Sequence, residues 1–166
     1  MNLYVTDPEF MERFEHFTFE EVPHEEGQQL EDKTRYMAIL ATLIGCQGME
    51  EYRLVLPRAL DAGLSPIAVK EIVYQAVDYL GIGRVLPYLE ASNSILESRG
   101  IELPLEGQCT TTLENRLEKG IQAQADIFGE HMKKAWKAGH INRWLAANCF
   151  GDYYTRTGLD LAQREM

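Results

Sequence analysis

The sequence contains no C-x-x-C pair, no H-x-x-x-H or H-E-x-x-H spacing, and no apolar run near the roughly 20 residues that a membrane-spanning helix needs. Its three cysteines, Cys46, Cys109 and Cys149, lie far apart. An odd count without a close pair fits a reducing compartment, gives no zinc-type ligand set, and leaves each thiol to act as a small apolar side chain. His16, His24, His131 and His140 are scattered and are expected to be solvated or locally bonded, so neither a metal nor a cofactor is expected. Basic residues are also scarce, with 16 Lys and Arg against 26 Asp and Glu for a formal charge of -10. Phosphate binding requires clustered cations, so a general nucleic-acid binder is excluded. The N-terminus meets Asp7, Glu9 and Glu12 where a secretory leader would be basic and then apolar. A cytoplasmic protein that does not enter the membrane is expected.

What is present is helical periodicity. Tyr52, Val55, Leu56, Ala59 and Leu60 form one stripe that stops at Gly63, and Ser65 with Pro66 then starts another helix. Gly63 is expected at positive φ, and Pro57 to kink the first helix or delay its start. Residues 30–46 form a helix that is apolar almost all round over 36–44, which suits the middle of a bundle. After Pro66, Val69, Ile72, Val73, Ala76 and Leu80 face inward, while Glu71, Gln75 and Tyr79 make a polar row four residues apart. Gly81 and Gly83 end that helix, and a further one over 85–99 carries Leu89, Ser92 and Leu96 on one side. Upstream, Asp7 caps a helix that opens on Pro8 and aligns Phe10, Met11, Phe14 and Phe17. Residues 17–22 leave that helix and 23–29 form a loop. The acidic residues crowding the N-terminal part read as a solvated surface, with metal binding as the minor alternative. The fold class expected from these patterns is all-α.

Beyond residue 101 the composition changes. Pro104, Gly107 and three successive threonines mark residues 102–112 as a linker, and helical periodicity resumes over 113–129 and 131–138. Two blocks then repeat earlier ones in the same order. Residues 142–150 echo the spacing of 9–17, and 159–166 echo 30–37, pairing Arg164 with Arg35. Residues 113–166 are therefore expected to be the front half of a second unit. Such a half-unit either belongs to a longer tandem protein or packs on the first domain or on another chain.

Read together, Leu30, Arg35 and Met37, the helix through Ile44, the block from Arg53 through Arg58-Ala59-Leu60-Asp61-Ala62-Gly63 to Pro66, Lys70-Glu71-Ile72-Val73-Tyr74-Gln75, and Tyr79-Leu80-Gly81 resemble a carboxymuconolactone decarboxylase domain over roughly residues 10–101. The resemblance implies the helical fold shared with alkylhydroperoxidase D proteins, a homo-oligomer of trimer or hexamer type, and chemistry on small acidic lactones. It places the complete domain in residues 1–101. The hydroperoxidase relatives use a C-x-x-C pair, and Cys46 has no such partner. Decarboxylase-like members often carry a histidine where this chain has Val55, which cannot transfer a proton.

The candidate catalytic residues that remain are Glu71, as a general base, and Cys46. Arg35, Arg53, Gln75 and Tyr79 are candidates for binding the substrate, the arginines through its carboxylate. Each has a structural alternative: a solvent-facing or subunit-contact polar row for Glu71, Gln75 and Tyr79, and ion pairs with Glu71 or Glu51 for the arginines. Two functions stay open. One is a decarboxylase-like protein acting on a small carboxylate or lactone; the other is a non-catalytic oligomeric scaffold or binding protein of the same fold. A peroxidase-type redox protein is the less favoured third.

Overall fold

The computed structural model describes residues 2–27 and 30–166, and among them every regular element is a helix. The expected loop over 23–29 falls partly on Gln28 and Gln29, which lie outside the described residues. Four short N-terminal elements come first: α1 (Leu3–Thr6), α2 (Pro8–Glu15), a π-helical segment (His16–Glu21) and α3 (Val22–His24). The chain thus continues as a π-helix over part of the 17–22 stretch read as leaving the helix. Arg58 anchors this arm, with Nη2 donating to Glu15 Oε1 at 3.0 Å and the guanidinium 4.6 Å from the Phe19 ring.

The core is built by α4 (Asp32–Gly45), α5 (Met49–Asp61), α6 (Pro66–Leu80) and α7 (Ile82–Ser98). Met37, Leu40 and Ile44 meet Val55, Leu56, Val69, Val73 and Tyr88 in one buried cluster. A satisfied polar chain runs through it: Ser92 Oγ donates to the Tyr88 carbonyl, so Tyr52 O–H donates to Ser92 Oγ, both at 2.7 Å. The α5–α6 turn has the expected chemistry, with Gly63 at φ +88° and Ser65 Oγ accepting from the Ala68 amide at 3.1 Å. Two details differ from the sequence reading. Pro57 sits inside a continuous α5, above the exposed Arg53 whose carbonyl loses its helical donor, and Gly83 lies within α7, which starts directly after Gly81 at φ +79°. Nor is α4 enclosed all round: Ala41 is exposed, and Ala38, Ala41 and Gly45 wall a cavity instead.

The C-terminal part contains α8 (Arg116–Phe128), α9 (Met132–Ala135), a 3-10 turn (Trp136–Ala138), α10 (His140–Trp144), a π-helical segment (Leu145–Tyr154) and α11 (Leu161–Glu165). Its own contact is backbone against backbone. A β-carbon on Gly120 would stand 1.7 Å from the Ala146 carbonyl oxygen, and one on Gly151 would stand 2.2 Å from that of Arg116. Residues 102–112 are not a free tether, because Thr110 and Thr111 donate to the carbonyls of Thr155 and Gly151, each at 2.8 Å. The C-terminal part joins the four-helix core through Leu159, which is buried in the same cluster.

Candidate functional site

Helix α6 carries the polar row at i, i+4 spacing, and the structure covers its first two members with the chain's own C-terminal segment. Glu71 is 1% exposed and Gln75 8%. Arg156 and Arg164 reach them. Arg156 Nε lies 2.9 Å from both Glu71 oxygens and its Nη2 lies 2.7 Å from Oε1; Arg164 Nη2 lies 3.1 Å from Oε2. Arg164 Nη1 donates to Gln75 Oε1 at 2.9 Å, and the Gln75 amide donates back to the Arg164 carbonyl, also at 2.9 Å.

These contacts define the surroundings of Glu71. A carboxylate offers about four lone-pair directions, and three guanidinium N–H groups reach it, the Arg156 Nε–H being shared between the two oxygens. Both oxygens are thus engaged by the arginines. Two guanidiniums share one carboxylate, so the cluster keeps a net positive charge although the Arg164 side chain is 1% exposed and that of Arg156 17%. Arg164 Nε is buried and has no acceptor.

The cluster divides two cavities. The first, about 230 Å³, lies between α4, α6 and α11; Met37, Ala38, Ala41, Ile72 and Leu159 give it an apolar wall, and Gln75, Arg164 and Tyr79 supply polar groups. The second, about 410 Å³, lies between α6, α7 and residues 103–108, on the side of Glu71 and Arg156. Tyr79 is 65% exposed, and its hydroxyl lies 3.4 Å from that of Tyr154. Burial, followed by the bonds to Tyr79 and Glu165, pushes the Tyr154 phenol up.

The other sequence candidates lie apart from the cluster. Arg35 pairs with Asp32 at 2.7 Å and lies 5.4 Å from the Tyr36 ring, while Arg53 is exposed. Neither is a partner of Glu71. Cys46 is an exposed free thiol bonded to the Leu43 carbonyl, and it lines neither cavity. Among the described residues no three His, Cys, Asp or Glu side chains gather as a metal site.

Sequence reasoning missed Arg156, Arg164 and Gly158. The repeated block that pairs Arg164 with Arg35 was the available signal. Gly158 had none, since its requirement is steric and tertiary. Burial raises two more titratable groups, Asp78 on α6 to about 6, with Oδ2 unpartnered, and the Cys149 thiol to about 12. Cys149 is therefore a buried, unreactive thiol at neutral pH.

The carboxymuconolactone decarboxylase family model matches residues 8–92, just over half of the chain, which covers α2 to most of α7. No curated protein and no solved structure matches.

Proposed function

Because this chain belongs to the carboxymuconolactone decarboxylase family, we propose that it binds a small carboxylate or carboxylated lactone in the cavity between α4, α6 and α11, without the proton transfer of a decarboxylase. The observation that carries this reading is Arg164, whose side chain is 1% exposed, which shares the Glu71 carboxylate with Arg156 and lines the apolar cavity. A positive charge in a weakly polar enclosure favours an anionic head group, and Met37, Ile72 and Leu159 favour an apolar body. The buried Nε of Arg164 is a donor with no acceptor.

A binding role is favoured over turnover by three features. Both Glu71 oxygens are engaged by arginines, Val55 stands 2% exposed in the core at the position where decarboxylase-like members often carry a histidine, and Cys46 stands alone. Chromatographic assay of a carboxymuconolactone tests the catalytic alternative: product formation above the uncatalysed rate overturns the binding-only reading.

We also read residues 113–166 as the front half of a second unit. In support, residues 9–17 and 142–150 both run from an α-helix into a π-helix, and Glu31 and Asp160 both stand at helix N-caps four residues before Arg35 and Arg164. Self-association completes the proposal. Phe10, Phe17, Ile141 and Trp144 are 57% to 76% exposed, more apolar surface than a lone chain usually leaves to water. Sedimentation velocity giving one species at the 19.0 kDa chain mass at every concentration would rule it out.

A further inference from the structure

The second cavity contains chemistry that carboxylate binding in the first leaves unused. Lys70, on α6, is 9% exposed, and its Nζ donates to Asn93 Oδ1. Among the described residues it forms no ion pair. Its amine lies 5.4 Å from the centre of the Tyr74 ring, and the Arg156 guanidinium lies 5.3 Å from the same ring. The acidic groups that line the cavity do not pair with this amine: Glu71 is engaged by the two arginines, and Glu97 and Glu106 are outside ion-pair distance of Nζ. Burial lowers the affinity of Lys70 for its proton.

We propose that Lys70 is the amine of a carbonyl-binding site, condensing reversibly with a small aldehyde or 2-oxo acid in the cavity between α6, α7 and residues 103–108. The cavity has room for such a molecule at about 410 Å³. Arg156 uses Nε and Nη2 on Glu71, which leaves Nη1 for the carboxylate of a 2-oxo acid. In the step itself the amine lone pair adds to the carbonyl carbon, and the π electrons move to oxygen, which takes up the proton released by nitrogen. The resulting carbinolamine loses one water as the carbon–nitrogen double bond forms. No oxidant or reductant is consumed.

Reductive trapping tests the site. The full chain is incubated at pH 7 with glyoxylate, and separately with propanal, in the presence of cyanoborohydride, and the adducts are located by peptide mapping. Besides labelling of the α-amino group, which titrates near this pH, the expected result is an adduct on Lys70 while the exposed Lys33, Lys119, Lys133, Lys134 and Lys137 remain unmodified over the same interval. Exposed lysines are ammonium ions at this pH and serve as an internal control in the wild-type chain. Lys70→Arg, checked for folding by circular dichroism, is expected to lose the adduct. Labelling spread over the exposed lysines with Lys70 untouched, or an unchanged adduct mass in Lys70→Arg, overturns the proposal. The first cavity plays no part in this readout, so failure here leaves the carboxylate-binding reading standing.

Discussion

Gly158 lies so close to Glu71 that a β-carbon at position 158 would stand 2.5 Å from Glu71 Cγ and 2.8 Å from Ile67 Cγ2. The contact is what lets the segment carrying Arg156 and Arg164 lie flat on α6. Gly158→Ala therefore has to push this segment away or displace a buried carboxylate. We expect destabilisation of about 1 to 3 kcal/mol by urea denaturation, the range for forcing an extra carbon into a packed site. Tryptic cleavage after Arg156 and Arg164 is expected to accelerate, since both side chains lose their partners.

Removing the charge at the other side of that contact should cost more. Glu71→Gln leaves two guanidiniums in a buried cluster without their counter-ion, and breaking a buried ion pair by removing one partner costs about 3 to 5 kcal/mol. Denaturant unfolding of the variant measures it. A loss below ~1 kcal/mol would mean that solvent or an anion already screens the pair.

How much of this was legible in the sequence follows from the range of each interaction. Gly63 and Ser65 act on neighbouring residues, so the positive φ and the helix cap could be read directly. Glu71 and Gln75 were visible as a polar row, but not as a buried one. Their partners lie 85 to 93 residues away, and nothing in a helical period says that a distant segment covers a face. The structural alternatives for that row are solvent or a subunit contact, and the chain itself provides a third. The enclosure expected for α4 failed for a related reason. Ala38, Ala41 and Gly45 are apolar yet too small to fill the space beside them, so an apolar face borders a cavity.

Asp78 gives a pH dependence of unusual sign. Its carboxyl is raised from 3.8 to about 6 by burial, so between those pH values the native chain holds a proton that the unfolded chain has released. Stability is thus fully present below about pH 4, falls as pH rises to about 6, and is level above that. Asp78→Asn removes the penalty. After discounting for partial exposure we expect a gain of ~1 kcal/mol at pH 7 and no gain at pH 3.5, read from paired thermal melts.

The α5–α6 turn offers a local check. Gly63 is at φ +88°, with the Lys33 side chain 3.2 Å from where a β-carbon would lie. Gly63→Val meets the penalty of a β-branched residue in this region and is expected to lose more than ~1 kcal/mol. A melt unchanged from wild type would contradict the part assigned to that glycine.

Isothermal titration of the chain with a series of small apolar-bodied carboxylates and their uncharged primary amides tests carboxylate binding most directly. Ala41→Leu is the companion variant, since Ala41 is an exposed wall residue of the first cavity and leucine keeps the helix while filling the space. We expect saturable one-to-one binding of at least one acid, no binding of its amide, and loss of the heat signal in Ala41→Leu with folding intact. Equal binding of acid and amide, or acid binding unchanged in Ala41→Leu, would contradict a carboxylate held in that cavity beside Arg164.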